Sequence, residues 1–419
     1  MGKITKVIKY DGSVEAFDPS KLIRWAEYAC KKGGDWSEIA RAVYNILPET
    51  ATSKEIHEAM TRVCADKGDL ISSRIAARLE IARLRKNQER AIGVPYDASF
   101  LEIFDGFTKK GYWKREEFPE PSEDWNEWYE EGLKVKKEYW ELVQWGDKYS
   151  RRVNGEPIEV PHAAMLASAL ALFRDDPRAA KQAYLLGIKG TLMSPTPALN
   201  GLRNGDYDTI SCCLISGGDS VPSIEVANHV AMMMTAKKAG IGITHNTRSK
   251  GDEVRGGVVE HLGKWSIYKD VESIVKVMTQ VARGGSATIT FKAIDPEIES
   301  ILFWKSQRTP IDTRIDKVDY TFAYNEAFVD AVVENKDWHL FSLYDSKDIY
   351  DVFHKDAKTY NAAVEKALAE GRPHKVVKAR DILVDFLTVR QETGRMYCLN
   401  LTRANEHTPF IDVIEQSNL

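Results

Sequence analysis

Two adjacent thiols, Cys212 and Cys213, lie in the stretch DTISCCLISGGDSVPSIEV. On a strand they would point to opposite faces, so only one can serve a given pocket, and a bond between them would be strained. Sixteen positions earlier, SPTPALNG sets Thr196 between two prolines. That rigid backbone could hold a hydroxyl and nearby N–H groups to receive a phosphate; taken alone, an ordinary stiff turn explains it as well. Two glycine-rich stretches, NTRSKGDEVRGGVVEH and TQVARGGSATITF, place Arg248, Arg255 and Arg283 beside small residues, a pairing that favours an anion. Neither a Walker A signature nor a GxGxxG turn accompanies them, which excludes a P-loop or dinucleotide-binding reading. Near the start, Lys9, Glu15, Lys21, His57 and Lys86 are spread over several elements. On charge alone they read as a solvated surface, but a hairpin lysine followed by a helix N-terminus with a second lysine can hold a triphosphate.

The elements that would carry these groups can be placed from local signals. Asp11-Gly12 sits between two alternating segments, as in a hairpin turn. Asp18-Pro19 caps a helix that Gly33-Gly34 ends; further helices are expected near 54–67 and 72–90, making a module of roughly 90 residues. From about 95 to 190 the chain is rich in Trp, Tyr and charge at helical spacing, which reads as packing. Turns, glycines and short strands follow, so a boundary is expected near 205. Ile210–Ile215 reads as a buried strand and Asp219 as the cap of a helix reaching Lys238, whose Met232–Met234 run suits core or a subunit interface. Ile411–Ile414 has the content of a short buried strand, followed by a polar turn of Gln416, Ser417 and Asn418.

Bulk properties narrow the function classes. The 419 residues are 43% hydrophobic and 29% charged, with a net charge of −4 that lacks the basic excess of a nucleic-acid binder. No apolar run could cross a bilayer, no secretory h-region opens the chain, and Lys6 stands where a myristoylation signal needs Ser or Thr; a cytoplasmic protein without a membrane partner is expected. The five cysteines form no CxxC pair, so no zinc or other metal site is read, and Cys30, Cys64 and Cys398 are expected to be small buried hydrophobes.

In order along the chain, PTP, SC.LI..GDS..SI, AGIGI, two RGG segments, E.E..L..K, RIDKVDY, TGR.Y..N and QSNL form a series that resembles the large, catalytic subunit of class I ribonucleotide reductase. The beginning, Lys9-Tyr-Asp-Gly with Glu15, Lys21, TSKEIHE and LRK, resembles the ATP-cone of those enzymes, with Tyr10 standing where many cones carry arginine. The resemblance covers the whole chain. It implies a mixed α+β and α/β architecture: an ATP-cone over 1–92, a helical domain over 93–205, and over 206–419 the first half of a ten-stranded α/β barrel with the specificity site.

What the family does implies roles for these residues. Its members replace the ribose 2′-hydroxyl of a ribonucleoside diphosphate with hydrogen: a cysteine thiyl radical takes the 3′ hydrogen and a cysteine pair supplies electrons. Cys212 matches one member of that pair. Thr196, Ser211 and Gly240 match substrate-binding positions, and Asn418 the asparagine that orients the ribose and assists proton handling. Asp219, Ser220, Val221, Arg248, Arg255 and Arg283 match the dNTP specificity site. Lys9, the run Glu15, Ala16, Phe17, Asp18, Pro19, Ser20 and Lys21, then Ser53, His57 and Lys86 match the cone's ATP or dATP site. No prosthetic group is implied for this chain, the radical cofactor belonging to a small partner subunit; thioredoxin or glutaredoxin would act as reductant, and the assembled large subunit would be a homodimer or higher oligomer. In the family the residue after QSNL is the thiyl cysteine. The expectation is therefore a chain active only with a C-terminal fragment, through a divided gene, an intein junction or a truncation. The competing expectation is a nucleotide-binding regulatory or assembly protein without chemistry of its own.

Overall fold

The computed structural model describes residues 4–31, 33–206, 208–278 and 285–418. The chain divides into two units, Met1–Thr209 and Ile210–Leu419.

The first unit opens with a hairpin, β1 (Lys6–Ile8) and β2 (Val14–Ala16), turning where Gly12 adopts a φ of +84° and the Asp11 carboxylate accepts the Ser13 N–H. Helix α1 (Pro19–Cys30) starts at Asp18, whose side chain accepts the Ser20 N–H. Two elements not anticipated from the pattern follow. Helix α2 (Trp36–Ile46) is capped by Asp35, and β3 (Thr50–Thr52) pairs parallel with β1 to give the order β2-β1-β3. Three residues are too few for strand periodicity to show, and the Gly33-Gly34 stop hides the cap beside it. Helix α3 (Ser53–Ala65) begins with a capping box of Thr52 and Glu55; α4 (Leu70–Ile92) ends at Gly93 in the left-handed region. Leu22, Ala26, Val43, Met60 and Leu79 form the core of this part, with Cys30 and Cys64 buried as small hydrophobes.

Helices α5 (Phe100–Lys109), α6 (Asp124–Leu133) and α7 (Tyr139–Lys148) lead to a small hairpin, β4 (Arg152–Val153) and β5 (Glu156–Pro157), then α8 (Pro161–Leu172), α9 (Pro177–Ile188) and α10 (Thr196–Gly201). The aromatic density is packing: Trp113 stacks on Phe107 at 4.3 Å and Phe118 meets Phe104 edge-on at 5.0 Å. Beneath α10 lies a fully buried ion pair. Arg203 donates to both Glu159 oxygens (2.7 and 2.6 Å) and to the Tyr149 carbonyl (3.0 Å). Burial alone would raise the Glu159 pKa, yet the Arg203 charge and the Arg151 N–H and Trp113 donors hold it below the usual value.

In the second unit, strands and helices alternate: β6 (Cys212–Gly217), α11 (Val221–Ala236), β7 (Gly240–His245), the hairpin β8 (Glu253–Val254) and β9 (Val259–Glu260), α12 (Trp265–Val277), β10 (Ala287–Lys292), α13 (Ile298–Phe303) and β11 (Asp319–Tyr324). Then come α14 (Glu326–Val333), β12 (Asp337–Leu340), α15 (Lys347–Asp351), α16 (Ala357–Ala369), β13 (Lys375–Lys378), α17 (Ala379–Thr393), β14 (Met396–Asn400) and α18 (Leu401–Glu406). Five strands form one parallel sheet in the order β14-β11-β10-β7-β6. Ile215, Ile241, Ile243, Ile289, Phe291, Tyr320 and Phe322 alternate onto one face and form a core with the helices. The intervening positions, Gly240, Gly242, Thr244, Thr288, Thr290 and Thr321, make the other face small and polar.

Three expectations are corrected. The strand begins at Cys212, and Ile210 (57%) and Leu214 (55%) are exposed, because β6 is an edge strand covered by helices on one face only. Cys398 is exposed rather than buried, since β14 is the opposite edge. Ile411–Ile414 forms no strand, and Ile411 lies fully in solvent. An asparagine side chain takes the place of a strand partner there: Asn405 donates to the Ile414 carbonyl (2.9 Å) and accepts the Ile414 N–H (2.8 Å).

Candidate functional sites

In the first unit, a cavity of about 290 Å³ opens between the hairpin, the start of α1, α3 and α4. Lys9, Glu15, Ala16, Phe17, Asp18, Lys21, Ser53, His57 and Lys86 all line it. Residues up to 77 positions apart in sequence thus converge. Pro19 and Ser20 sit beside it in the first turn of α1, exposed, without lining it. Glu15 bridges Lys21 (3.1 Å) and Lys9 (3.7 Å), and the Lys21 hydrogen bond and charge keep its carboxyl below the ordinary range. His57 accepts the Trp25 indole N–H at Nδ1 (3.2 Å), and burial pushes its pKa down to about 4, so the ring is neutral at pH 7. Lys86 lies over the Trp25 ring at 5.0 Å.

Four further wall residues carry charge that sequence reasoning missed: Lys54, Arg83, Arg90 and Glu156. Arg90 stacks on Tyr10 at 3.9 Å, so the last turn of α4 brings a guanidinium to the hairpin position where Tyr10 interrupts the basic pair. Glu156, from β5, binds Lys54 and accepts from Arg83 (3.0 Å). Helical spacing from Arg83 to Lys86 to Arg90 was the available signal for α4, since i, i+3 and i+7 share a face; nothing local marked Glu156.

Thr196 opens α10 after Pro195 and belongs to the first unit. The second unit carries the rest. The Ser211 carbonyl accepts the Gly240 N–H at 2.7 Å, and Cys212 is in register with Gly240, so these three stand together at the entry to β6 and β7. The segment after α18 returns over the polar face of the sheet. Gln416, buried, donates to the Ile215 carbonyl (3.0 Å) and Ser216 Oγ (3.2 Å). The Ser417 hydroxyl lies 3.5 Å from that of Thr321. A Cβ at Gly242 would fall 2.6 Å from the Ser417 carbonyl oxygen, 2.8 Å from the Leu214 side chain and 2.9 Å from Asn418 Cα. Gly242 therefore admits the terminal backbone, and Leu214 shares that face. Cys212, two residues before Leu214 on the strand, points to the same side as Asn418. Cys213 points the other way and packs against the apolar core. The Thr288 and Thr290 hydroxyls on this face are buried without a hydrogen-bond partner among the described residues.

A second cluster forms where β6 leads into α11. The cap of α11 is Ser220, which accepts the Ser223 N–H, and not Asp219 as expected. Asp219 is instead engaged by Arg248: it accepts the Arg248 backbone N–H (3.0 Å) and Nε–H (2.9 Å). A carboxylate facing a guanidinium fork forms a charge-assisted pair that competes with the weaker bond to a helix N-terminus. Arg248 also donates to the Glu253 carbonyl at the base of the β8–β9 hairpin and lies 4.8 Å from the Tyr344 ring, a partner that sequence reasoning missed. Val221 is 76% exposed. Arg255 projects at the hairpin tip, where it and the two following glycines all take positive φ. Arg283 lies outside the described residues.

With this geometry in view, residues 210–419 match the family model described as ribonucleotide reductase, barrel domain. The whole chain is similar to ribonucleoside-diphosphate reductase 1 subunit alpha of Escherichia coli (strain K12), 28% identical over 446 aligned residues that include 99% of this chain and 57% of that protein. It is 26% identical to the ribonucleoside-diphosphate reductase subunit alpha of Enterobacteria phage T4, over 100% of this chain and 58% of that one. The large subunit from Arabidopsis thaliana is 23% identical over 65% of this chain and 34% of its own. The chain thus spans less than two thirds of the length of the curated relatives it matches. Among the described residues no helix is long and apolar enough to cross a membrane.

Proposed function

Since the chain belongs to the ribonucleotide reductase family, with half its length matching the barrel domain, we propose that it is part of the catalytic subunit of a ribonucleoside-diphosphate reductase and contributes one side of the active site. The convergence of Ser211, Cys212, Gly240 and Asn418 on the polar face of the parallel sheet carries this reading. A substrate lying there would meet the Ser211 and Gly240 backbone at one end and the Asn418 side of the sheet at the other. The reaction removes the 2′-hydroxyl as water and puts hydrogen in its place, so two electrons and two protons must come from a dithiol that ends as a disulfide. Cys212 is one thiol of that pair. Cys30 and Cys64 are buried in the first unit; Cys213 and Cys398 lie on the opposite face of the sheet. The other reducing thiol and the hydrogen-abstracting thiol are accordingly supplied by further parts of the assembled subunit, and the initiating radical by a small partner subunit. Thr196, at the proline-fixed start of α10, is proposed to bind substrate phosphate.

Two effector sites complete the reading. The cavity lined by Lys9, Lys21, His57 and Lys86 takes ATP or dATP as an ATP-cone, its neutral imidazole and Trp25 facing a base and its cations the phosphates. The Asp219–Arg248 cluster with Ser220, Val221 and Arg255 takes the dNTP that selects the substrate.

The deciding experiment supplies the assembled subunit with its radical-generating partner, a thiol reductant and a ribonucleoside diphosphate, and measures deoxynucleotide formation. Cys212→Ala is expected to lower turnover by on the order of 10³-fold or more while ATP binding is unchanged. Unaltered turnover in that variant would remove Cys212 from the reaction.

A further inference from the structure

Another cavity of the first unit shares no lining residue with the one described above. It holds about 560 Å³ and opens between the end of α1, one face of α4, the segment after α6 and the start of α8. Ala77, Ile81, Leu133 and Val135 give it apolar walls. Six cations, Lys31, Arg74, Arg78, Arg85, Lys136 and Lys137, line it against one carboxylate, Glu138.

Most of these charges are oriented without being neutralised. Arg78 donates to the carbonyls of Ala29 and Cys30, and Lys136 to that of Leu133 (2.7 Å). Lys137 donates to the Ile188 carbonyl (2.6 Å) and reaches Glu141 at 3.3 Å. Lys31 and Arg74 have no ion pair among the described residues. So many like charges around one concavity repel one another, and a multiply charged anion relieves that repulsion.

A second observation concerns the wall itself. His162, almost wholly buried at the start of α8, donates Nε2–H to the Val135 carbonyl at 3.0 Å, which leaves Nδ1 as an acceptor. That nitrogen has no partner among the described residues and is closed off from solvent, so the ring seals the wall without offering a polar atom to the cavity. Burial depresses the ring's pKa to about 4, so it adds no charge to the wall at neutral pH. A concave space in the size range of small-molecule pockets, with apolar walls, a few polar points and a cationic surround, fits a compact ligand better than a protein segment.

We propose that this cavity binds a phosphorylated small molecule, its phosphates held by the exposed cations Arg74 and Lys136 and its uncharged part packed against Ala77, Ile81, Leu133 and Val135. This site is separate from the cone cavity and does not depend on the function proposed for it. Titration calorimetry on the full chain carrying Lys21→Glu, Lys86→Glu and Arg248→Glu, which disable the other cavity and the Asp219–Arg248 cluster, tests it with inorganic triphosphate and ATP as probes. Both are expected to bind in that background. Adding Arg74→Gln and Lys136→Gln should weaken both by about tenfold or more, the effect of losing charge-assisted contacts. Ile81→Ala should weaken ATP while sparing triphosphate. No binding in the first background, or binding indifferent to the Arg74 and Lys136 changes, overturns the proposal. Equal effects of Ile81→Ala on the two probes, with the thermal melt unchanged, overturn the role given to the apolar wall. Arg74 and Lys136 are exposed, so replacing them leaves the core packing untouched and a change in binding reports on the cavity itself.

Discussion

The first unit's cavity around Lys9, Lys21, His57 and Lys86 and the second unit's sheet face are built on opposite plans. Around the cavity, long side chains from a hairpin and three helices meet at their tips, and Glu15 and Glu156 already pair with the cations Lys9, Lys21, Lys54 and Arg83. On the sheet, glycine, cysteine and threonine sit close to the strand backbone, and a returning segment lies directly against Gly242. Tips of flexible chains exchange partners at small cost, which suits a site where anions come and go. Groups fixed to paired strands hold their positions to a fraction of an ångström, which suits chemistry that loses rate steeply with misplacement. The contrast makes a general point: reversible binding tolerates side-chain reach, whereas bond making needs backbone placement.

Substitutions in each unit can break or sharpen that contrast. The largest effect is expected from Glu159→Gln, which leaves the Arg203 guanidinium buried without its counter-charge; the first unit should lose about 3–5 kcal/mol in denaturant unfolding, while the second unit's transition stays in place. Equal losses in both transitions would mean that the units do not unfold separately. Next, Gly242→Val puts a side chain where the Ser417 carbonyl and Asn418 backbone lie. Turnover of the assembled enzyme should fall by about 10²-fold, as expected for a misplacement of about 1 Å, with ATP binding to the first unit unaltered. A comparable substitution of Lys21 should do the reverse, weakening effector binding and sparing chemistry.

A pH series compares the units through one buried histidine in each. His162 and His245 both have pKa values pushed down to about 4 by burial. Between about pH 6.5 and 4 the unfolded chain therefore binds more protons than the folded one, and stability falls as pH falls through that window. Each ring should contribute about 1–3 kcal/mol of that loss. His162→Gln should flatten the curve for the first unit and His245→Gln that for the second; an unchanged slope for either variant would mean its histidine titrates normally. The smallest effect is expected from Arg248→Lys. It removes the guanidinium fork from Asp219 and leaves the Arg248 backbone N–H bond in place, so effector binding should weaken by about tenfold, yet stability should move by no more than about 1 kcal/mol because the pair is partly exposed. A large drop in melting temperature would show that the pair is structural.

Much of this was legible residue by residue. Asp11-Gly12 marked the hairpin and Asp18-Pro19 the start of α1, because both signals act within a few residues. Opposite faces for Cys212 and Cys213 followed from strand alternation alone. Other features were invisible for definite reasons. The cation at the hairpin comes from Arg90, 80 positions after Tyr10. The supposed strand at Ile411–Ile414 had the right composition, but Asn405 satisfies the Ile414 backbone in place of a neighbouring strand. Exposure of Cys398 depends on β14 being an edge, which no local pattern records.

By itself the sequence determined local geometry and chemistry: turns, caps, strand alternation, and an ordered series of short motifs that placed the chain in its family. Those depend on sterics and hydrogen bonds between residues near in sequence, so they can be read without a fold. Only the tertiary structure decided which groups share a space: Glu156 with Lys54 and Arg83, Asp219 with Arg248, and the last described residues with Gly242. Such pairings depend on where distant backbone segments meet, and that is set by burying the whole apolar surface at once.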